Sequence, residues 1–167
     1  VLSVSLSLCE REREREGVCV CVCACTHICN THKHTQLQTH EHAARTDELT
    51  GLSNRRDMQH RLNEEFSRYQ RSGHHFSAAL IDLDLFKRIN DVYGHDAGDQ
   101  VLRDFALLMQ SVIRQTDVAS RWGGEEFLIL LPDTSLLQAL TLAERLRQKV
   151  SRHEFKFAGK VMPVTIS

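Results

Sequence analysis

A chain of 167 residues, 41% of them hydrophobic, holds one domain, or one domain and a tail. Its formal net charge of −1 excludes bulk electrostatic attraction to nucleic acid or to an anionic membrane surface. No apolar stretch approaches the length that spans a bilayer.

Residues 1 to about 44 are built from two-residue repeats: SLSL, EREREREG over Glu10–Gly17, VCVCVCAC over Val18–Cys25, then a run rich in Thr-His pairs. This pattern has no helical amphipathicity and no mixed core, and it predicts disorder. Alternating CT, GA, GT and AC dinucleotides encode Leu-Ser, Glu-Arg, Val-Cys and Thr-His, so the segment has the form of translated repeat DNA or a mis-drawn gene start. The opening VLSVSLSL has no basic region before it and no clear cleavage site after it, which makes it a poor secretory signal. All six cysteines lie between Cys9 and Cys29. Disulfides there would tie the segment only to itself, and the rest reads as a reduced, cytoplasmic type of domain. Cys19, Cys21, Cys23, Cys25, His27 and Cys29 are dense in metal ligands, but strict alternation offers a structural zinc no second half-site. Adventitious metal binding is the expectation.

From Arg45 the pattern is that of a globular domain. Asn54 caps a helix with Met58, Leu62, Phe66 and Tyr69 on its inner face, ended by Ser72-Gly73. Phe76–Leu83 is an apolar run suited to a buried strand. A short helix carries Leu85, Phe86, Ile89 and Val92 and stops at Gly94. A longer helix begins at Asp99, with Val101, Leu102, Phe105, Leu108, Met109, Val112 and Ile113 inward. Val118–Trp122 and Phe127–Leu131 flank Gly123-Gly124, a two-residue hairpin signal. Ser135 caps a helix whose inner side is Leu136, Leu140, Ala143, Leu146 and Val150, and Val161–Ile166 begins a further strand. The order α-β-α-α-β-β-α-β predicts an α+β sheet with helices packed on it.

Two groups of carboxylates stand out. Asp82 and Asp84 lie where an apolar strand turns acidic, and Glu125 and Glu126 follow the Gly-Gly turn of an otherwise apolar hairpin. If the hairpin pairs beside the Asp82 strand, the carboxylates converge at one sheet edge. Such a set suits Mg²⁺, which takes carboxylates together with substrate phosphates and water. Either group alone is more simply an ordinary solvated strand end or tight turn. Phe86 and Phe127 read as core.

The hairpin Gly123-Gly124-Glu125-Glu126-Phe127 resembles the GGEEF form of the GGDEF signature of diguanylate cyclases. DELTGLSNRR over Asp47–Arg56 is similar to that family's entry motif, DLDLFKRIND over Asp82–Asp91 to its metal and nucleotide segment, and GHDAGDQVL over Gly94–Leu102 to the segment after it. The four motifs occur in the family's order between about Thr46 and Ser167. They divide the chain into a repeat tail, 1–44, and a GGDEF domain, 45–167. The resemblance implies a sheet related to nucleotidyl cyclases and polymerase palms. It also implies a reaction joining two GTP molecules into cyclic di-GMP with release of pyrophosphate, which requires a homodimer because each domain holds one GTP. Carried over by position, Asp82, Glu125 and the backbone carbonyl of Leu83 would bind Mg²⁺ (or Mn²⁺). Glu125 would also help deprotonate the attacking 3′-hydroxyl and Glu126 would support the metal. Lys87 would offset transition-state charge, Asn90 and Asp99 would read the guanine edge, and His95 would lie in the substrate site.

Arg114-Gln-Thr-Asp117 lies five residues before Gly123, at the spacing of the family's inhibitory site for cyclic di-GMP, and Arg145 falls where a secondary arginine is found. An arginine fork grips phosphate or a guanine edge, and an aspartate accepts from guanine N–H groups; an ordinary polar helix end has the same composition. The family domain normally adds another strand and a closing helix with basic residues after the point where this sequence stops. The resemblance therefore leaves two alternatives beside the cyclase: a non-catalytic module that binds GTP or cyclic di-GMP, and an inactive fragment. No nucleic-acid or membrane partner is expected.

Overall fold

The computed structural model describes residues 20–21 and 45–167. The expectations of disorder and of adventitious metal binding for the rest of the repeat segment lie outside the described residues. The elements, in chain order, are β1 (Val20–Cys21), β2 (Ser53–Asn54), α1 (Arg55–Ser72), β3 (Phe76–Asp82), α2 (Phe86–Tyr93), α3 (His95–Gln110), β4 (Val118–Arg121), β5 (Glu126–Pro132), α4 (Leu136–Arg152), β6 (Phe155–Phe157) and β7 (Lys160–Met162). The main sheet has the order β1-β3-β5-β4-β2, antiparallel except for the β2–β4 pair, and β6 and β7 form a separate hairpin. This is the α+β sheet with flanking helices that the element order predicts.

The two faces of the sheet follow from strand alternation. Ala79 and Ile81 of β3, with Phe127, Ile129 and Leu131 of β5, turn into the larger core with α2, α3 and α4. Leu128 and Leu130 turn the other way, onto Met58 of α1. Phe105 of α3 meets Phe127 edge-on with centroids 4.7 Å apart, a contact worth about 0.5–1.5 kcal/mol beyond its buried area. Phe86, at 7% exposure, and Phe127, at 0%, are core as expected.

Several boundaries differ from the sequence reading. The long helix starts at His95, because Gly94 (φ 89°, ψ 163°) breaks the chain between α2 and α3; Asp99 is inside the helix. The hairpin connection is Trp122–Glu125 and not Gly-Gly alone, so Glu125 belongs to the turn. The inner face of α4 is Ala139, Leu142, Ala143, Leu146 and Val150, and Leu136 and Leu140 are exposed. On α1, Met58 is fully buried, yet Tyr69 is 36% exposed. The expected Val161–Ile166 strand is divided: Lys160–Met162 pairs with β6, and Ile166 bridges Leu83 at the end of β3.

Candidate active site

β3 and β5 are apolar until they reach the same end of the sheet. There β3 closes on Asp82 and β5 opens on Glu126, and the antiparallel register sets these two residues opposite one another. The Leu83 N–H donates to the Glu125 carbonyl at 3.3 Å, so the pairing runs past the strands and fixes Glu125 beside the Asp82–Leu83 peptide. The carboxylates thus gather at the ends of two adjacent interior strands, not along a lateral edge of the sheet. From the other side, Ser167 exchanges backbone bonds of 2.8 and 3.0 Å with Asp82, and the Thr165 hydroxyl donates to Asp84 at 2.6 Å.

The turn that carries Glu125 is held by Arg121. Its Nε and Nη2 donate to the Gly124 carbonyl at 3.2 and 2.8 Å, and its Nη1 lies 3.4 Å from Asp47 Oδ2. The other oxygen of Asp47 accepts from the backbone N–H and the hydroxyl of Thr50, at 2.9 and 2.7 Å. One guanidinium therefore ties the entry motif to the GGEEF turn. At Gly123 a Cβ would meet the Glu126 carboxylate, which would have to swing aside. Sequence reasoning missed Arg121, Asp47 and Thr165; a lone arginine just before a glycine turn is the signal that points to the first.

Burial pushes the Asp82 carboxyl above its ordinary range, and the charges of Glu126 and Asp84 push it the same way. Burial also raises Glu125, followed by the charges of Asp82 and Glu126. Neither carboxylate has a hydrogen-bond or ion-pair partner among the described residues. Like charges assembled without a counter-charge make a site that a cation would relieve. The Leu83 carbonyl accepts one bond of 3.3 Å from the Phe86 N–H and keeps a second lone pair. Among the described residues, no three His, Cys, Asp or Glu side chains form a complete cage. This donor set fits a hard dication that takes the rest of its shell from phosphate and water.

The nucleotide candidates lie on α2 and α3. Asn90 and Asp99 are half-buried, and the Asn90 carboxamide sits against Gly98, next to Asp99. Lys87 in the first turn of α2 and His95 at the start of α3 are exposed, with no hydrogen bond or ion pair among the described residues. In the segment after α3, the buried Asp117 accepts from the Arg114 N–H at 2.7 Å. The Arg114 side chain is exposed. Arg145 reaches across from α4 and donates to the Val112 carbonyl. Beside it an open cleft of about 620 Å³ is lined by Leu108, Val112, Arg145, Lys149, Arg152 and others, well apart in sequence from the strand-end carboxylates.

The fold and the site define an α+β domain with an acidic centre at paired strand ends. Residues 44–167 match the family model described as diguanylate cyclase, GGDEF domain, and the chain belongs to that family. The response regulator PleD of Caulobacter vibrioides is 50% identical over 124 residues, which are 73% of this chain and 27% of PleD. The diguanylate cyclase DgcP of Pseudomonas aeruginosa is 44% identical over 134 residues, 80% of this chain and 20% of DgcP. The chain thus spans between 20% and 27% of the length of these two relatives. Among solved structures, the GGDEF domain of DgcB from Caulobacter crescentus, in complex with c-di-GMP, superposes with a TM-score of 0.72 at 31% identity; the match covers 80% of this chain and 77% of that one. Diguanylate cyclase SiaD from Pseudomonas aeruginosa, in complex with its activator SiaC, gives 0.72 at 46% identity over 75% of this chain and 48% of that one. No helix among the described residues is long and apolar enough to cross a membrane.

Proposed function

We propose that residues 45–167 are the working unit of a diguanylate cyclase, which condenses two GTP molecules into cyclic di-GMP. In each half-reaction the 3′-hydroxyl of one GTP attacks the α-phosphate of the other. A P–O bond forms, the bond to the β-phosphate breaks, pyrophosphate leaves, and the hydroxyl proton passes to a base. Each domain holds one GTP, so two copies must face each other. The observation that carries the reading is the placement of Asp82, at the end of β3, beside Glu125, in the turn that leads into β5, two carboxylates held together without a counter-charge among the described residues.

Bound Mg²⁺ or Mn²⁺ would supply charge neutralisation at the α-phosphate and a lowered hydroxyl pKa. Asp82, Glu125 and the Leu83 carbonyl would hold the cation. Glu125, beside the Asp82–Leu83 peptide, would also receive the 3′-hydroxyl proton, and Glu126 would reinforce the negative field. Asn90 and Asp99 hold the guanine edge, with His95 at the same end of α3. Lys87 stands as a cation toward the phosphates. Arg114, Asp117 and Arg145 form an inhibitory site for the product, cyclic di-GMP.

The test is product formation by the full chain from GTP and Mg²⁺, read by chromatography over a range of protein concentrations. Cyclic di-GMP that rises more than linearly with chain concentration and disappears in Asp82→Ala supports the cyclase and its dimer. A folded chain that binds GTP but yields no product at any concentration sinks the catalytic reading and leaves a binding module.

A further inference from the structure

α2 and α3 are consecutive helices joined at Gly94, and they pack closely enough that one side chain of α2 rests on the backbone of α3. That side chain is Asn90. A Cβ placed on Gly98 would fall deep inside the van der Waals radius of Asn90 Oδ1, 3.0 Å from Asn90 Cγ and 3.1 Å from Phe86 Cζ. Gly98 is buried, and it has no positive φ that would itself demand glycine. The missing Cβ therefore serves the space above the helix and not the backbone conformation. Gly98 lies in the first turn of α3, where glycine is still a poorer helix former than alanine.

The Asn90 carboxamide uses this space. It is half-buried and has no hydrogen-bond partner among the described residues, so nothing but packing sets its direction. Gly98 immediately precedes Asp99, the second group assigned to the guanine edge. We infer that Gly98 is a specificity-positioning residue: by lacking a Cβ it seats the Asn90 carboxamide against α3, where amide and Asp99 carboxylate address one base edge together. This rests on the reading of Asn90 and Asp99 as guanine contacts. Gly98 itself touches no substrate and acts through Asn90. The atom it would displace is the far end of a flexible side chain, so Gly98→Ala moves the amide more readily than it disrupts the helix pair.

The experiment is equilibrium binding of the full chain to the α,β-methylene analogues of GTP and ATP, which cannot react at the α-phosphate. It is run on the unaltered chain, Gly98→Ala, Asn90→Ala and the double variant. The expected result is a roughly tenfold loss of guanine-analogue affinity in Gly98→Ala, the scale of a lost hydrogen bond, with adenine-analogue affinity unchanged. In the Asn90→Ala background Gly98→Ala should then add nothing, because the two act as one unit. Losses that add, or a fall for both analogues alike, would make Gly98 an ordinary packing residue and overturn the inference. Guanine preference lost in Asn90→Ala but intact in Gly98→Ala would overturn it too, while leaving the nucleotide site standing. An Asn90→Ala variant with undiminished guanine preference would instead remove the underlying reading. Should Gly98→Ala fold poorly, Gly98→Ala/Phe86→Leu relieves the Phe86 contact and not the Asn90 one. The same loss of guanine preference is expected there, and its absence counts equally against the inference.

Discussion

Asp82 and Asp117 are both carboxylates next to motif residues, and their surroundings differ in kind. Asp117 is 8% exposed, and the Arg114 N–H donates to it at 2.7 Å; it closes its own turn. Asp82 has no such donor, and burial together with Glu126 and Asp84 makes its charge costly. A carboxylate that satisfies the backbone has a structural role whether or not it also meets a ligand. One that the fold leaves in deficit needs a ligand to explain it. The same contrast holds for the arginines: Arg121 and Arg145 each spend donors on a backbone carbonyl, at Gly124 and Val112, whereas Arg114 reaches into solvent.

The comparison breaks most directly at the deficit. Asp82→Asn or Glu125→Gln should lower cyclic di-GMP formation by about 10³-fold or more, the scale of losing a metal-held charge stabiliser at phosphoryl transfer. The fold should survive, because each change removes a repulsion. A variant keeping more than a tenth of the activity takes that carboxylate out of the mechanism.

Arg121 sharpens the contrast between holding and reacting. Arg121→Ala frees the Gly124 carbonyl and Asp47, so the turn no longer aims Glu125. The expected effect is a drop of roughly 10- to 100-fold in kcat, since misplacement by about an ångström costs that much, with KM for GTP little changed. Arg121→Lys should recover only part of it, because an ammonium cannot span both partners as the planar fork does. An unchanged kcat in Arg121→Ala would show that the turn holds itself.

At the Arg114–Asp117 turn the two residues should separate. Both Arg114→Ala and Asp117→Ala are expected to weaken cyclic di-GMP binding, measured by calorimetry on the full chain. Only Asp117→Ala should also lower unfolding free energy, by about 1 kcal/mol, since it removes the acceptor of the part-buried Arg114 N–H. Arg114→Ala, an exposed change, should stay within about 0.5 kcal/mol. Equal destabilisation by both would erase the distinction.

These distinctions were only partly legible in the sequence. GGEEF, the Asp82 strand end and the order of elements were readable because each is local: an apolar run, an abrupt carboxylate, a glycine pair. The span of the hairpin connection was not, because Gly-Gly marks a turn without saying whether Glu125 is inside it. The α4 stripe was misread because Leu136, Leu137 and Leu140 leave that end apolar on several sides. Packing against α3 and β3 selected Ala139 and Leu142, where small and large residues fit together. The β6–β7 hairpin was missed because Ala158-Gly159, both at positive φ (47° and 77°), fills a turn that the Asn-Gly or Asp-Gly signal normally announces. The Arg121–Asp47 tie and the Asn90–Gly98 contact join separate motifs, which spacing cannot reveal.

The smallest expected effect is in the pH dependence of stability without metal. Asp82 and Glu125 have folded pKa values raised above 3.8 and 4.5, so in that window the native state binds more protons than the unfolded one. Their contribution therefore falls as pH rises through the raised values. Asp57 has the opposite sign: burial works to raise it, but the bonds from Arg61 and Ser53 and the charges of Arg61 and Arg45 prevail and lower it. Its contribution is present above 3.8 and lost as pH falls through its folded value. The two effects occupy different windows, and subtracting an Asp82→Asn melting curve from that of the unaltered chain isolates the first. In chelator, Asp82→Asn should melt about 1–3 °C higher at pH 7, and this advantage should vanish toward pH 4. Added Mg²⁺ should raise the melting temperature of the unaltered chain and leave the variant's nearly unmoved. A variant that melts lower than its parent at pH 7 without metal would mean that Asp82, like Asp117, is a carboxylate the fold already satisfies.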